Sequence, residues 1–150
     1  MASTLTNLLV HVVFNTKGHE PLVTDELRGR LYPYIGGIFR NEAAESLAIG
    51  GTADHIHLAI KVRPNQMLSD LVRKARANSS KWVNENRLCP GRFAWQSGYG
   101  GFSVSASQID KVRRYIENQA EHHRTKTFEE EFLGLLNKHG IEYDPEYLWD

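Results

Sequence analysis

A single cysteine, Cys89, stands in this chain of 150 residues. That excludes a disulfide framework and any multi-cysteine zinc cage, and it is compatible with a reducing cytosol. Long apolar runs are missing too: no stretch approaches the ~20 residues that a membrane span requires. The opening Met1-Ala2-Ser3-Thr4 has no basic segment leading into an apolar run, so no secretory signal is expected and a cytoplasmic location is. Repeats, low-complexity segments and Pro/Ser-rich linkers are absent, and one domain over residues 1–150 is the expectation. A (β/α)₈ barrel, which needs roughly 200 residues or more, is excluded by length.

An excess of charge of either sign is also lacking, with 18 Lys+Arg against 18 Asp+Glu. The balance hides a polarity along the chain. Residues 61–92 carry eight basic and two acidic side chains, whereas residues 127–150 carry one basic and seven acidic. A basic middle followed by an acidic helix and tail reads either as a solvated surface or as a phosphate-binding strip kept apart from an acidic flank.

What is present alternates between strand and helix patterns. Residues 8–14, Leu-Leu-Val-His-Val-Val-Phe, read as a buried strand. Thr24 caps a helix in which Leu27, Leu31, Ile35, Ile38 and Phe39 recur at helical spacing. Pro33 lies inside that pattern and is expected to kink or break it. Residues 45–49 suit a short strand and Gly50-Gly51 a turn. From His55 to Val62 the alternation is strict, with Ile56, Leu58, Ile60 and Val62 on one face and His55, His57, Ala59 and Lys61 on the other. Residues 66–86 predict a second helix whose basic faces carry Arg73, Lys74, Arg76 and Lys81. Residues 93–104 are strand-like but interrupted by three glycines. A third helix runs from Ser107 to about His123, and Thr127-Phe128-Glu129-Glu130 is a capping box for a fourth, closed by Gly140. This order predicts an α/β (α+β) sandwich, an antiparallel ferredoxin-like or RNA-recognition-like sheet with helices packed on it.

Chemistry concentrates in two places. His55 and His57 project from the same face of a strand, about 7 Å apart along the chain, so their imidazoles can converge on one divalent metal. Asp54 is placed to orient one of them. On the third helix, Ile109, Val112, Ile116, Ala120 and His123 form an apolar stripe, and Tyr115, Gln119 and His122 form a second. Separately each pattern is ordinary: a paired core histidine, a half-buried tyrosine beside a solvated amide. If the helix faces the histidines, Gln119 adds an oxygen ligand and Tyr115 brings a hydroxyl near the ion.

Together, His55-Ile56-His57, the segment Phe93-Ala94-Trp95-Gln96-Ser97-Gly98-Tyr99-Gly100-Gly101-Phe102-Ser103-Val104, and Tyr115-Ile116-Glu117-Asn118-Gln119 with Glu121-His122-His123 resemble the single-tyrosine HUH transposases. These small insertion-sequence enzymes act on single-stranded DNA. The resemblance runs from the first strand to about Tyr147.

The resemblance implies a fold of the HUH endonuclease type and a mechanism. His55, His57 and Gln119 hold magnesium or manganese. Tyr115 attacks a backbone phosphate, leaving a 5′-phosphotyrosine and a free 3′-hydroxyl, and a second 3′-hydroxyl later rejoins the DNA without ATP. It also implies a homodimer that recognises hairpins at element ends; in such dimers the tyrosine helix can serve the partner, giving composite active sites. Phosphate contacts are expected from Arg73, Lys74, Arg76 and Lys81, and from Arg113 and Arg114 beside Tyr115. Competing readings are a related HUH nickase or domesticated hairpin-processing enzyme, a metal-dependent hydrolase without a covalent intermediate, and a non-catalytic nucleic-acid-binding module.

Overall fold

The computed structural model describes residues 2–149; Met1 and Asp150, the last residue of the acidic tail, lie outside them. Four strands, β1 (Leu8–Asn15), β2 (Glu45–Gly51), β3 (His55–Val62) and β4 (Gly100–Val104), form one antiparallel sheet in the order β2-β3-β1-β4. With α1 (Asp25–Asn41) and α2 (Leu68–Glu85) the chain order is β-α-β-β-α-β, the ferredoxin-like unit. Val12, Phe14, Ile56, Leu58 and Ile60 face α1 and α2 and build the main core with Leu31, Ile35, Phe39 and Val72.

The opposite face is covered as well. Three further helices follow β4: α3 (Ile109–Glu117), a single turn α4 (Gln119–His122) and α5 (Phe128–Lys138). Ile116 of α3 packs on Ala48 and Ala59, while Phe128 and Leu136 of α5 pack on Val13 and Phe102. The strict alternation of β3 therefore sorts its side chains into two different layers. Its apolar residues enter the α1/α2 core, and its histidines lie under α3 to α5. Among the described residues no helix is long and apolar enough to cross a membrane.

Several local expectations are met. Thr24 accepts the Leu27 N–H at 3.1 Å. Thr127 accepts the Glu130 N–H at 3.2 Å. Gly140 takes a φ of +67° after α5, and the Ile141 N–H then bonds the Leu136 carbonyl at 2.9 Å, which closes the helix end.

Four expectations are corrected. First, α1 passes through Pro33 as one helix. One missing N–H does not outweigh the burial of Leu27 and Leu31 before the proline and of Ile35, Ile38 and Phe39 after it. Second, Gly50 and Gly51 are not a turn but the end of β2, opposite His57 and Ile56. Third, residues 93–99 are not strand: Trp95 forms an isolated bridge with Thr16. The amide of Asn84 holds the Phe93 N–H and carbonyl at 2.8 and 2.9 Å, so these groups are satisfied without a neighbouring strand. Fourth, the third helix stops at Asn118, whose backbone sits at φ −104°, ψ 26°, and resumes as α4.

Gly50 is where β2 meets α3. A Cβ there would overlap the Ile116 carbonyl oxygen, so only glycine admits this approach of helix to strand. Gly50→Ala is expected to cost about 1–3 kcal/mol through overpacking. Urea unfolding should show a lower midpoint at unchanged slope.

Candidate active site

His55 and His57 are both fully buried, at 1 % and 0 % exposure, and each ring nitrogen has a partner. His55 Nδ1 meets Asp54 Oδ1 at 2.8 Å, and Thr52 Oγ1 lies within 3.1 Å of both groups. Burial opposes the charged form of Asp54, but the hydrogen bond from His55 prevails and holds its pKa below the ordinary value. In a neutral ring that bond consumes the Nδ1 proton and leaves Nε2 as a lone pair pointing into the site. There it faces Gln119 Oε1 at 3.0 Å.

His57 Nδ1 meets His11 Nε2 at 2.8 Å. His11 lies on β1 diagonally across from His57, and burial, then the nearby His57, lowers its pKa to about 3. It stays neutral and can hold the His57 ring by either donating or accepting.

Sequence patterning did not single out the group at the centre. Glu131 of α5 is 3 % exposed. Its Oε1 lies 2.9 Å from His57 Nε2, 3.1 Å from His123 Nε2 and 3.5 Å from His55 Nε2. Its Oε2 accepts the hydroxyl of Tyr115. Burial alone would raise its pKa, but the hydrogen bond and charge of His57 and the bond from Tyr115 hold it well below the carboxylate range. Burial, then the hydrogen bond to Glu131, pushes Tyr115 above the ordinary phenol value. Burial lowers His57, with Glu131 opposing. The resting site is thus a carboxylate on which two imidazoles and a phenol converge.

One signal for Glu131 was present in the sequence. It follows Phe128 by three residues and precedes Leu135 by four, on the apolar stripe of its helix rather than on the solvated face. His11, a histidine inside an otherwise apolar strand, was equally legible.

His55, His57 and Glu131 each offer a ligand atom, and these atoms lie within 4.8 Å of one another. Two imidazoles with one carboxylate suit a divalent cation. The approach of His55 Nε2 and the Gln119 oxygen, 3.0 Å apart, is a second indication: in the tautomer that gives its Nδ1 proton to Asp54, two lone pairs converge where a cation would sit. Gln119 turns that oxygen inward because its NH₂ is directed at the Tyr115 carbonyl, 3.4 Å away. Tyr115 meets the histidines of its own chain, with ring centroids 5.8 Å from His57, and reaches them through Glu131 rather than directly.

The basic residues fall in two places. α2 lies across the sheet from the histidines. On it Arg73 pairs with Asp70 at 3.6 Å, Lys81 with Glu85 at 3.8 Å and Lys74 with Glu42 at 2.9 Å. Arg76 donates to the carbonyls of Gln96, Ser97 and Gly98 at 2.7, 2.7 and 3.0 Å, so it braces the loop before β4. Arg76→Ala is expected to cost about 2 kcal/mol in urea unfolding, and Arg73→Ala to stay within about 0.5 kcal/mol. Arg113 and Arg114 are exposed on α3 next to Tyr115.

Comparison with known proteins shows the family. Residues 4–119 match the family described as transposase, IS200-like; α5 and Glu131 lie beyond the matched segment. The ISDra2 transposase TnpA of Deinococcus radiodurans is 22 % identical over 115 residues, covering 73 % of this chain and 81 % of the relative. A crystal structure from Deinococcus radiodurans R1, assigned as a transposase, superposes with a TM-score of 0.63 at 22 % identity, over 79 % of this chain and 95 % of that one. The REP-associated tyrosine transposase bound to a REP hairpin gives 0.57 at 12 % identity, over 77 % and 70 %. Two strand-borne histidines under a helix-borne tyrosine, with a family match over most of the chain, make it a member of the IS200-like transposases, the single-tyrosine HUH group that its motifs resemble.

Proposed function

We propose that this transposase cleaves and rejoins single-stranded DNA through a phosphotyrosine at Tyr115. The observation that carries the reading is the Tyr115 hydroxyl donating to Glu131, whose other oxygen lies with His55 and His57 in one cluster. The phenolic oxygen attacks phosphorus as its proton passes along the existing hydrogen bond to Glu131. The P–O3′ bond breaks, Glu131 returns that proton to the departing oxygen to leave a 3′-hydroxyl, and the 5′-phosphate stays on the tyrosine. His55, His57 and Glu131, with Gln119 beside them, would hold magnesium or manganese, and a divalent cation bound there would supply polarisation of the phosphate and stabilisation of its developing charge. Asp54 and His11 keep the two imidazoles oriented.

The substrate is a strand with hairpin ends, processed in the cytoplasm by a homodimer. Support for the hairpin comes from the REP-associated relative, whose structure contains one. Arg113 and Arg114 contact phosphates beside Tyr115. Across the sheet, exposed Arg73 and Lys81, with Lys74, serve a paired stem, and Arg76, spent on three carbonyls, is not among them. The test is incubation with a labelled single-stranded hairpin and Mg²⁺ or Mn²⁺, followed by denaturing electrophoresis. A covalent adduct that disappears on adding chelator is expected. Cleavage without adduct would indicate a hydrolase, and binding alone a non-catalytic module.

A further inference from the structure

His55, His57 and Gln119 are buried, so a strand meets this site only where the covering helices part. They part between α3 and α5. There a cavity of about 580 Å³ opens, lined by buried Glu131 and His11, by half-buried Tyr115, and by Ser103 and Ser105 of β4 and its exit. Lys111, Lys126 and Lys138 also line it, and Val112 and Leu135 supply apolar surface. Clefts of roughly 300–1,000 Å³ hold small organic ligands, so the space suits one or two nucleotides.

Its charge is what separates it from the basic strip on α2. All three lysines are exposed, and none makes an ion pair with a described residue. The single carboxylate in the lining, Glu131, is already held by His57 and Tyr115. On α2, by contrast, Arg73, Lys74 and Lys81 face carboxylates and Arg76 faces carbonyls. Three cations around a slot lined by Tyr115 complement a polyanion threaded past that residue.

We propose that the groove between α3 and α5 seats the unpaired nucleotides flanking the cleaved phosphate, with Lys111, Lys126 and Lys138 on backbone phosphates and the bases against Val112 and Leu135. This rests on the reading of Tyr115 as the nucleophile, but it concerns binding and is tested without chemistry. In a Tyr115→Phe background, the affinity of a fluorescein-labelled 12-residue oligothymidylate is measured against salt by anisotropy. Removing one lysine–phosphate pairing should flatten the log–log slope by about 0.7. Lys111→Gln, Lys126→Gln and Lys138→Gln combined should therefore flatten it by about 2, while Arg30→Gln with Arg40→Gln, exposed on α1 across the sheet, leaves it unchanged. Lysine acylation of the wild-type chain, read by mass spectrometry, provides a measurement that needs no variant. The oligonucleotide should protect Lys111, Lys126 and Lys138 and leave Lys74 and Lys81 reactive. An unchanged slope in the triple variant, equal protection of both sets, or no binding at low salt overturns the proposal. A wild-type chain that forms no adduct but retains the slope and protection would overturn the catalytic reading instead, and leave the groove as a strand-binding site.

Discussion

Tyr115→Phe is expected to eliminate the covalent protein–DNA adduct and lower strand cleavage to background, with a fold stability within about 1 kcal/mol of wild type. The change removes one oxygen from a half-buried ring and keeps the ring packing against His57, His11 and His122. Its local consequence is that Glu131 Oε2 loses the hydroxyl donor, while Oε1 keeps His57 and His123. The loss of one of several hydrogen bonds to a charged group costs on the order of 1 kcal/mol. The expected effect on chemistry is of a different order, because Tyr115 is the one tyrosine that lines the groove and no other side chain there can form a phosphotyrosine. Denaturing electrophoresis with a labelled hairpin reads the adduct, and anisotropy reads hairpin binding, which should persist. Adduct formation at the wild-type rate by the phenylalanine variant would remove Tyr115 from the mechanism.

His57→Ala should lower metal-dependent cleavage by about a thousandfold or more, equivalent to roughly 4 kcal/mol of transition-state stabilisation. Two effects combine. A ligand atom is removed from a cluster that offers three, and the remaining partners lose their support: His11 Nε2 and Glu131 Oε1 both bond the missing ring. A buried polar group left without a partner costs about 1–3 kcal/mol, so this variant should also unfold at lower denaturant. His55→Ala should cost comparable activity. It also removes the ring on which Phe128 stacks at 4.4 Å, and with it part of the seat of α5. Gln119→Ala should be milder, since water can replace a neutral oxygen ligand. Titration calorimetry with Mn²⁺ separates the cases. If both histidine variants bind the ion as wild type does, the pair is structural and the metal site lies elsewhere.

The strand from His55 to Val62 was legible in full, because a period of two assigns every residue to a face and burial on both faces leaves no room for slippage. The Thr24 and Thr127 caps were legible for a similar reason: the donors they satisfy lie within three residues. The continuity of α1 through Pro33 was not, because it depends on side chains that press the helix onto the sheet from both sides of the proline. Gly50 and Gly51 have turn composition, yet they are strand, and what demands glycine at Gly50 is Ile116, sixty-six residues away. Arg76 and Lys81 are alike in a charge count and different in the fold, since only Arg76 finds three carbonyls within reach.

The site divides in the same way. Residue type and spacing along one strand and one helix determined His55, His57, Tyr115 and Gln119 as candidates, because those patterns repeat over a few residues, and together with residues 93–104 they carried the resemblance to the family. Only the tertiary structure decided that Glu131, which lies on the apolar stripe of α5, meets the histidines and the tyrosine. It also decided that the lysines nearest the tyrosine come from three separate segments around one groove. Contacts between residues 55, 115 and 131 belong to the packing of α3 and α5 against the sheet. No local period encodes that packing, because it is set by the summed burial of Ile116, Phe128 and Leu136 against strands far away in the chain.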